Sequence, residues 1–199
     1  MRKRALRCCC QTLTQKRSAN VGAKKRLPRQ KLATKTARMH KAFIALGSNL
    51  NSPASQVISA FQSIEQLPKT RLIKKSSLYK SEPVGYSNQP DFINAVVEIA
   101  TELSAETLLK NLLKIEVEFG RERPFANAPR ILDLDLLLFD DLILHTETLT
   151  LPHPRLHLRG FVLLPLAEIA PELSIPQHGN VVKLAELHKS KDVQKLKNS

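Results

Sequence analysis

The chain contains no tryptophan and only 5% aromatic residues, too few rings to build a platform on which single-stranded nucleic acid could stack. Cysteine is confined to Cys8, Cys9 and Cys10, and three adjacent thiols supply neither the spaced ligands of a zinc finger nor a disulfide framework. A cysteine-free remainder is compatible with a reducing compartment, and a cytoplasmic location is expected. No apolar run reaches the roughly 18 residues that a membrane-spanning helix needs, because Asp133 and Asp135 interrupt the leucine-rich stretch from 132 to 138. No membrane association is expected. Acidic residues are missing altogether from residues 1–41, which hold 14 of the 31 Lys and Arg. The arm therefore carries +14, leaving 17 basic and 18 acidic residues, or −1, for residues 42–199, so the net charge of +13 describes the arm and not the body.

The arm shows no sustained apolar periodicity and has few large side chains, so it is expected to be disordered. It could serve as an electrostatic arm for nucleic acid or acidic lipid, as an Arg-rich transit peptide, or as an extension without function that precedes a natural start at Met39. The last reading is favoured because the core pattern begins directly after Met39. Nucleic acid is a partner only if the arm is functional. The 199 residues suffice for one ordinary core, so one domain over 42–199 is expected.

Ala42 to Leu46 is a short apolar run closed by Gly47-Ser48-Asn49, the pattern of a buried strand entering a tight turn. Ser52 is expected to cap, and Pro53 to open, a helix to about Gln66, with Val57, Ile58, Phe61, Ile64 and Leu67 on its apolar face. A strand over about 71–79, a turn-rich loop over 81–91 and a strand over about 92–100 follow. Ser104 caps a second helix with Leu108, Leu109, Leu112, Ile115 and Phe119 on one face, ended by Gly120. A basic, turn-rich segment then leads into a strand over 131–139. The order strand, helix, strand, strand, helix, strand predicts an α+β, ferredoxin-like sandwich whose antiparallel sheet is flanked by helices, with residues 140–199 as an elaboration.

Leu132-Asp133-Leu134-Asp135-Leu136 carries the sharpest chemical signal. Residues two apart on a strand share a face and lie about 6.6 Å apart, so both carboxylates point one way while the leucines fill the other side. Such a pair calls for divalent cations, basic partners or raised pKa values, and hard oxygens suit Mg²⁺; a solvated edge strand is the plain alternative. Arg121, Arg123 and Arg130 bracket the preceding loop and would deliver guanidinium forks beside that strand, as a polyphosphate requires, unless they merely pair with Glu116, Glu118 and Glu122. Gly47-Ser48-Asn49 lacks the spacing and the lysine of a Walker motif. His153, between Pro152 and Pro154, could donate to a phosphate, whereas His145, His157, His178 and His188 show no metal-ligand spacing.

In this order the segments FIALGSNL, SSLYKSEPVGYSNQPDFINAVV, RILDLDLLLFDD and LPHPRLHLRGFVLLPLAEIAPEL resemble the 6-hydroxymethyl-7,8-dihydropterin pyrophosphokinases of folate biosynthesis. The resemblance runs from Ala42 to about Leu187 and implies a ferredoxin-like fold. It also implies transfer of pyrophosphate from MgATP to the pterin hydroxymethyl group, releasing AMP. Asp133 and Asp135 would then hold two Mg²⁺ ions, with Arg121 and Arg130 as the other catalytic groups. Glu116, Arg121, Arg130, His153 and Arg159 would bind ATP. Phe92 and Phe161 would sandwich the pterin, Asn94 would read its edge, and Ser81 and Val84 would add contacts from their loop. Residues 81–91 and 120–130 would act as lids, and a monomer is expected. The chain departs from the family at Phe125-Ala126-Asn127-Ala128, which offers neither the Trp nor the extra Arg of some relatives, and at Leu113, where some relatives carry a nucleotide-contacting glutamine. A nucleotide-sugar glycosyltransferase or a Mg²⁺ phosphohydrolase could use the same Asp pair, but neither predicts the pocket of Phe92, Asn94 and Phe161. A nucleic-acid-binding module would rest on the arm alone.

Overall fold

The computed structural model describes residues 38–85, 88–121, 128–189 and 192–197. The chain divides into two units, Met1–Lys35 and Thr36–Ser199, and the expectation of disorder in the arm falls, up to residue 37, outside the described residues. Strand β1 spans His40–Ser48, because the His40 ring bonds to the Asp140 carboxylate at 2.7 Å and the Lys41 N–H donates to the other oxygen of Asp140 at 2.7 Å.

Helix α1 (Pro53–Glu65) follows, with Pro53 at its start as the sequence predicts. Ser52 does not cap it as expected: its backbone is left-handed at φ 62°, its hydroxyl makes no capping bond, and its carbonyl accepts from the Gln56 N–H instead. The single strand expected over 71–79 is two, β2 (Thr70–Lys75) and β3 (Tyr79–Ser81). Between them the Ser76 hydroxyl accepts from the Val96 N–H at 2.9 Å, so a side chain takes a place in the ladder that a backbone carbonyl would otherwise hold. Both strands pair with β4 (Phe92–Thr101) at different stretches. Helix α2 (Ala105–Glu118) has the predicted cap, the Ser104 hydroxyl accepting from the Thr107 N–H, and Gly120 ends the turn at φ +83°. Strand β5 (Asp133–Phe139) begins two residues later than expected, since the chain at Arg130 is held by Asn49 and pairs with β1 only from Asp133 onward.

The ladder runs β5, β1, β4, β3, all antiparallel, with β2 also on β4, which is the expected ferredoxin-like order. Residues 140–199 add the hairpin β6 (Leu144–His145) and β7 (Thr150–Leu151), a 3-10 turn over Leu156–Leu158 and helix α3 (Gly160–Ile169). The hairpin β8 (Ser174–Ile175) and β9 (Gly179–Asn180) and helix α4 (Val181–Leu187) come next. Strand β10 (Val193–Lys195) then joins the sheet beside β3.

Alternation along β1 sorts the core into two layers. Ala42, Ile44 and Leu46 pack with α1 and α2 on one face, whereas Phe43 and Ala45 pack with Val162, Leu163 and Leu166 of α3 on the other. Among the described residues no helix is long and apolar enough to cross a membrane.

Candidate active site

The α3 face of the sheet is open at one end. There the register sets Asn94 of β4, Gly47 of β1 and Asp133 of β5 in one row, and Val96, Ala45 and Asp135 in the next. The central strand contributes only a methyl and a hydrogen, so the sheet itself forms the floor of a cavity of about 290 Å³. A Cβ on Gly47 would lie 3.3 Å from Asn94 Oδ1, so the glycine leaves room for that amide. Asn94 is buried, and its Nδ2 donates to the buried Ser81 hydroxyl at 2.8 Å, which fixes the orientation of the amide.

Two matched rows of side chains rise from this floor. Arg130 donates to Asp133 Oδ2 at 2.5 Å, and its guanidinium carbon lies 5.7 Å from the centre of the Phe92 ring. Arg159 faces Asp135 Oδ2 at 3.4 Å, with its guanidinium carbon 5.6 Å from the Phe161 ring centre. Each ring is thus held beside a cation, and each cation is shared with a carboxylate. Val84 and Ser81 complete the lining, so nine of the sequence-predicted residues meet here: Ser81, Val84, Phe92, Asn94, Arg130, Asp133, Asp135, Arg159 and Phe161.

Asp135 also borders a second groove of about 290 Å³, between α2, β5 and the β6–β7 hairpin. Leu109, Leu113, Leu136 and Leu149 form its apolar wall, Thr146 to Thr150 its rim, and Glu116, Arg121 and His153 its polar end. The His153 Nε2 lies 3.9 Å from Asp135 Oδ2, and its Nδ1 accepts from the Arg155 N–H at 3.2 Å. That bond assigns the proton of the neutral ring to Nε2, facing the carboxylate. Burial holds the His153 pKa below its ordinary value, and Arg159 and Arg155 add to that effect against the attraction of Asp135. Burial likewise lowers the pKa of Arg159.

Glu116 lines the groove, but its oxygens are engaged within the protein. One accepts from the Leu134 N–H at 2.7 Å, between the two Asp residues, and the other pairs with Arg121. The simple pairing weighed for the arginines is therefore real at Arg121. Arg123 and the stretch 124–127 lie outside the described residues, as do 86 and 87 of the earlier loop.

The family model described as 7,8-dihydro-6-hydroxymethylpterin-pyrophosphokinase matches residues 43–171. The chain belongs to this family. It is 47% identical over 148 residues to the 2-amino-4-hydroxy-6-hydroxymethyldihydropteridine pyrophosphokinase of Haemophilus influenzae, covering 74% of this chain and 92% of that one. It is 42% identical to the protein of the same name from Pseudomonas aeruginosa, over 73% of this chain and 90% of the relative. A crystal structure of Plasmodium falciparum HPPK-DHPS superposes with a TM-score of 0.65 at 14% identity, over 83% of this chain and 48% of that one. At that identity the likeness concerns the fold alone, and the chain spans about half the length of the solved protein.

The pyrophosphokinase motifs thus map onto two adjoining recesses. What the motifs do not reveal is the role of Asn49 in holding them. Its N–H donates to the Arg130 carbonyl, its Oδ1 accepts from the Arg130 N–H at 2.8 Å, and its Nδ2 donates to Gln89 Oε1 and the Pro90 carbonyl. The sequence shows Asn49 as part of the turn that closes the first strand, but not its burial or its partners 40 and 81 residues away. The rim at Thr146 to Thr150 was likewise missed, because a polar hairpin carries no motif.

Proposed function

We propose that the sheet-floored cavity takes the pterin, the groove takes the nucleotide, and transfer occurs where the two meet at Asp135. The chain transfers the pyrophosphoryl group of ATP to 6-hydroxymethyl-7,8-dihydropterin in folate biosynthesis, giving AMP and the pterin diphosphate, as its family and the relatives named for this activity indicate. The observation that carries the assignment of sites is the sharing of Asp135 by both recesses, beside the two rows of aromatic ring, guanidinium and carboxylate.

A flat ring with donors and acceptors at its rim suits a slot bounded by Phe92 and Phe161, with the oriented Asn94 amide at its edge. Ser81 holds that amide, and Val84 adds an apolar contact to the lining. The apolar wall and threonine rim of the groove suit an adenosine, and the neutral His153 offers its Nε2–H to a phosphate oxygen. Arg121, Arg130 and Arg159 neutralise the phosphates, and phosphoryl chemistry is mainly positioning and charge stabilisation, so no separate nucleophile is required. Glu116 acts by fixing the β5 backbone between Asp133 and Asp135 and by orienting Arg121.

Asp133 and Asp135 fit Mg²⁺ as a donor set, since two hard carboxylates share one strand face on the cavity and Asp135 also borders the groove. They would hold two Mg²⁺ ions, which supply charge neutralisation and Lewis acidity at the phosphates when bound. Arg130 and Arg159 pair with these carboxylates, which sets both guanidinium groups beside the place where the phosphates would lie. We place the enzyme in the cytoplasm as a monomer. The test is a product assay with MgATP and 6-hydroxymethyl-7,8-dihydropterin, with EDTA and pterin-free controls. AMP formed in step with a pterin diphosphate is expected; ADP with a pterin monophosphate would move the attack to the γ-phosphorus, and turnover that survives EDTA would remove the metal.

A further inference from the structure

The family match ends at residue 171, so α4 and β10 lie outside it, yet this C-terminal segment touches both walls of the pterin cavity. On one side it meets Gly160, the first residue of α3, which stands between the two cavity residues Arg159 and Phe161. A Cβ at Gly160 would lie 2.6 Å from the carbonyl oxygen of His188, just past the end of α4. The glycine is required there for space. On the other side β10 pairs with β3, with Val193 opposite Ser81, the residue that orients Asn94. The Glu82 N–H donates to the Asp192 carbonyl at 3.3 Å, the Leu196 N–H donates to the Leu78 carbonyl at 2.8 Å, and Lys195 Nζ bonds to Glu168 of α3 at 2.9 Å. A cleft of about 350 Å³ is lined by Ser81 and Phe161, which also line the cavity, together with His188 and Val193.

We propose that Gly160, the end of α4 at His188 and β10 are positioning elements that set the distance between the Phe161 wall and the Ser81–Asn94 floor, and thereby the affinity for a flat bicyclic ring. β10 is anchored to β3 by backbone pairing and to α3 through Lys195 and Glu168, and the end of α4 is seated against α3 at a residue without a side chain, so together they tie the two walls. A methyl group at Gly160 forces the backbones apart by roughly 1 Å, and a gap of that size forfeits a quarter to a half of the dispersion contact on a stacked ring. The groove between α2, β5 and the β6–β7 hairpin is lined by none of these residues, and among the described residues Arg159 beside Gly160 is the single link from them to the phosphates.

This inference rests on the pterin occupying the cavity, and its test separates the two. Steady-state kinetics are measured on the full chain, on Gly160→Ala, on a chain ending at Leu187, on the combination of the two, and on Gln194→Pro, with folding followed by circular dichroism. Gly160→Ala should raise KM for the pterin by about tenfold, with a smaller change, below about threefold, in KM for ATP transmitted through the neighbouring Arg159. In the chain ending at Leu187 the same substitution should have no further effect, because the carbonyl it strikes is gone. Gln194→Pro, which disturbs β10 without touching Gly160, should raise the same KM and carries the test if Gly160→Ala does not fold. Equal rises in both KM values, a loss confined to kcat, or additive effects in the combined variant would overturn the proposal. Phe161→Ala separates the two readings: an unchanged pterin KM there removes the ring from this cavity and overturns both, whereas a raised KM there with none in Gly160→Ala and Gln194→Pro overturns only the positioning role.

Discussion

The two faces of the central sheet are made from alternate residues of the same strands, and they have opposite contents. Under α1 and α2, Ile44, Leu46, Leu134 and Leu136 form a continuous apolar layer. On the other face α3 covers Phe43, Ala45 and Val96, and beyond its first turn the strands carry Gly47, Asn94, Asp133 and Asp135 over the cavity. The difference shows that a site can be made by withholding cover. One face is roofed by two helices, while the other is roofed only in part, and its bare end is where short and polar side chains fall.

The contrast can be broken most severely at Asp133. Asp133→Ala should lower kcat by about 10²–10³-fold, the scale of losing one charge-stabilising group at a reacting centre, and leave the circular dichroism and melting curve close to wild type. A large loss of fold would mean that the carboxylate supports the sheet. The opposite face should respond in reverse. Ile44→Ala, one residue before Ala45 and fully buried in the α1–α2 layer, should cost about 2–5 kcal/mol in denaturant unfolding, with kcat per folded molecule retained within about twofold. The smallest effect is expected at the covered end of the α3 face. Burial raises the Glu168 pKa, but Lys195, Ser77 and Tyr79 all donate to the carboxylate and outweigh it, leaving the pKa below its ordinary value. The folded state therefore binds fewer protons there, and this stabilisation, present above the ordinary carboxylate pKa, is lost as pH falls through the depressed one. Glu168→Gln should melt lower than wild type at pH 7, with the gap closing toward pH 3. A gap independent of pH would assign the effect to packing.

Much of the fold was legible because its signals are local. The helix after Ser104 has its cap three residues from the N–H that it serves, and the alternation of Asp133, Leu134, Asp135 and Leu136 fixes the face of each side chain whatever the partner strand. The misreadings arose where a local signal was overruled from a distance. Ser76 reads as one more strand residue until its hydroxyl meets the Val96 N–H, 20 residues on, and divides the strand in two. Ser52 reads as a cap, but its left-handed backbone directs the chain from the Asn49 turn into α1.

The candidate site divides in the same way. Its chemistry, two carboxylates, several guanidiniums, two phenyl rings and an amide, could be named from sequence because spacing and side-chain type specify what a group can do. Its support could not. The reach of Asn49 to Arg130 and Gln89, the bond from the Leu134 N–H to Glu116, and the seat of His188 on Gly160 depend on which distant segments the fold brings together. Sequence by itself determined the elements, the sorting of the sheet faces and the identity of the reacting groups, since these follow from periods of two and 3.6 residues and from intrinsic side-chain chemistry. Tertiary structure alone decided the width of the cavity, its meeting with the groove at Asp135 and the residues that hold both, because close contact between segments far apart in the chain leaves no periodic trace along it.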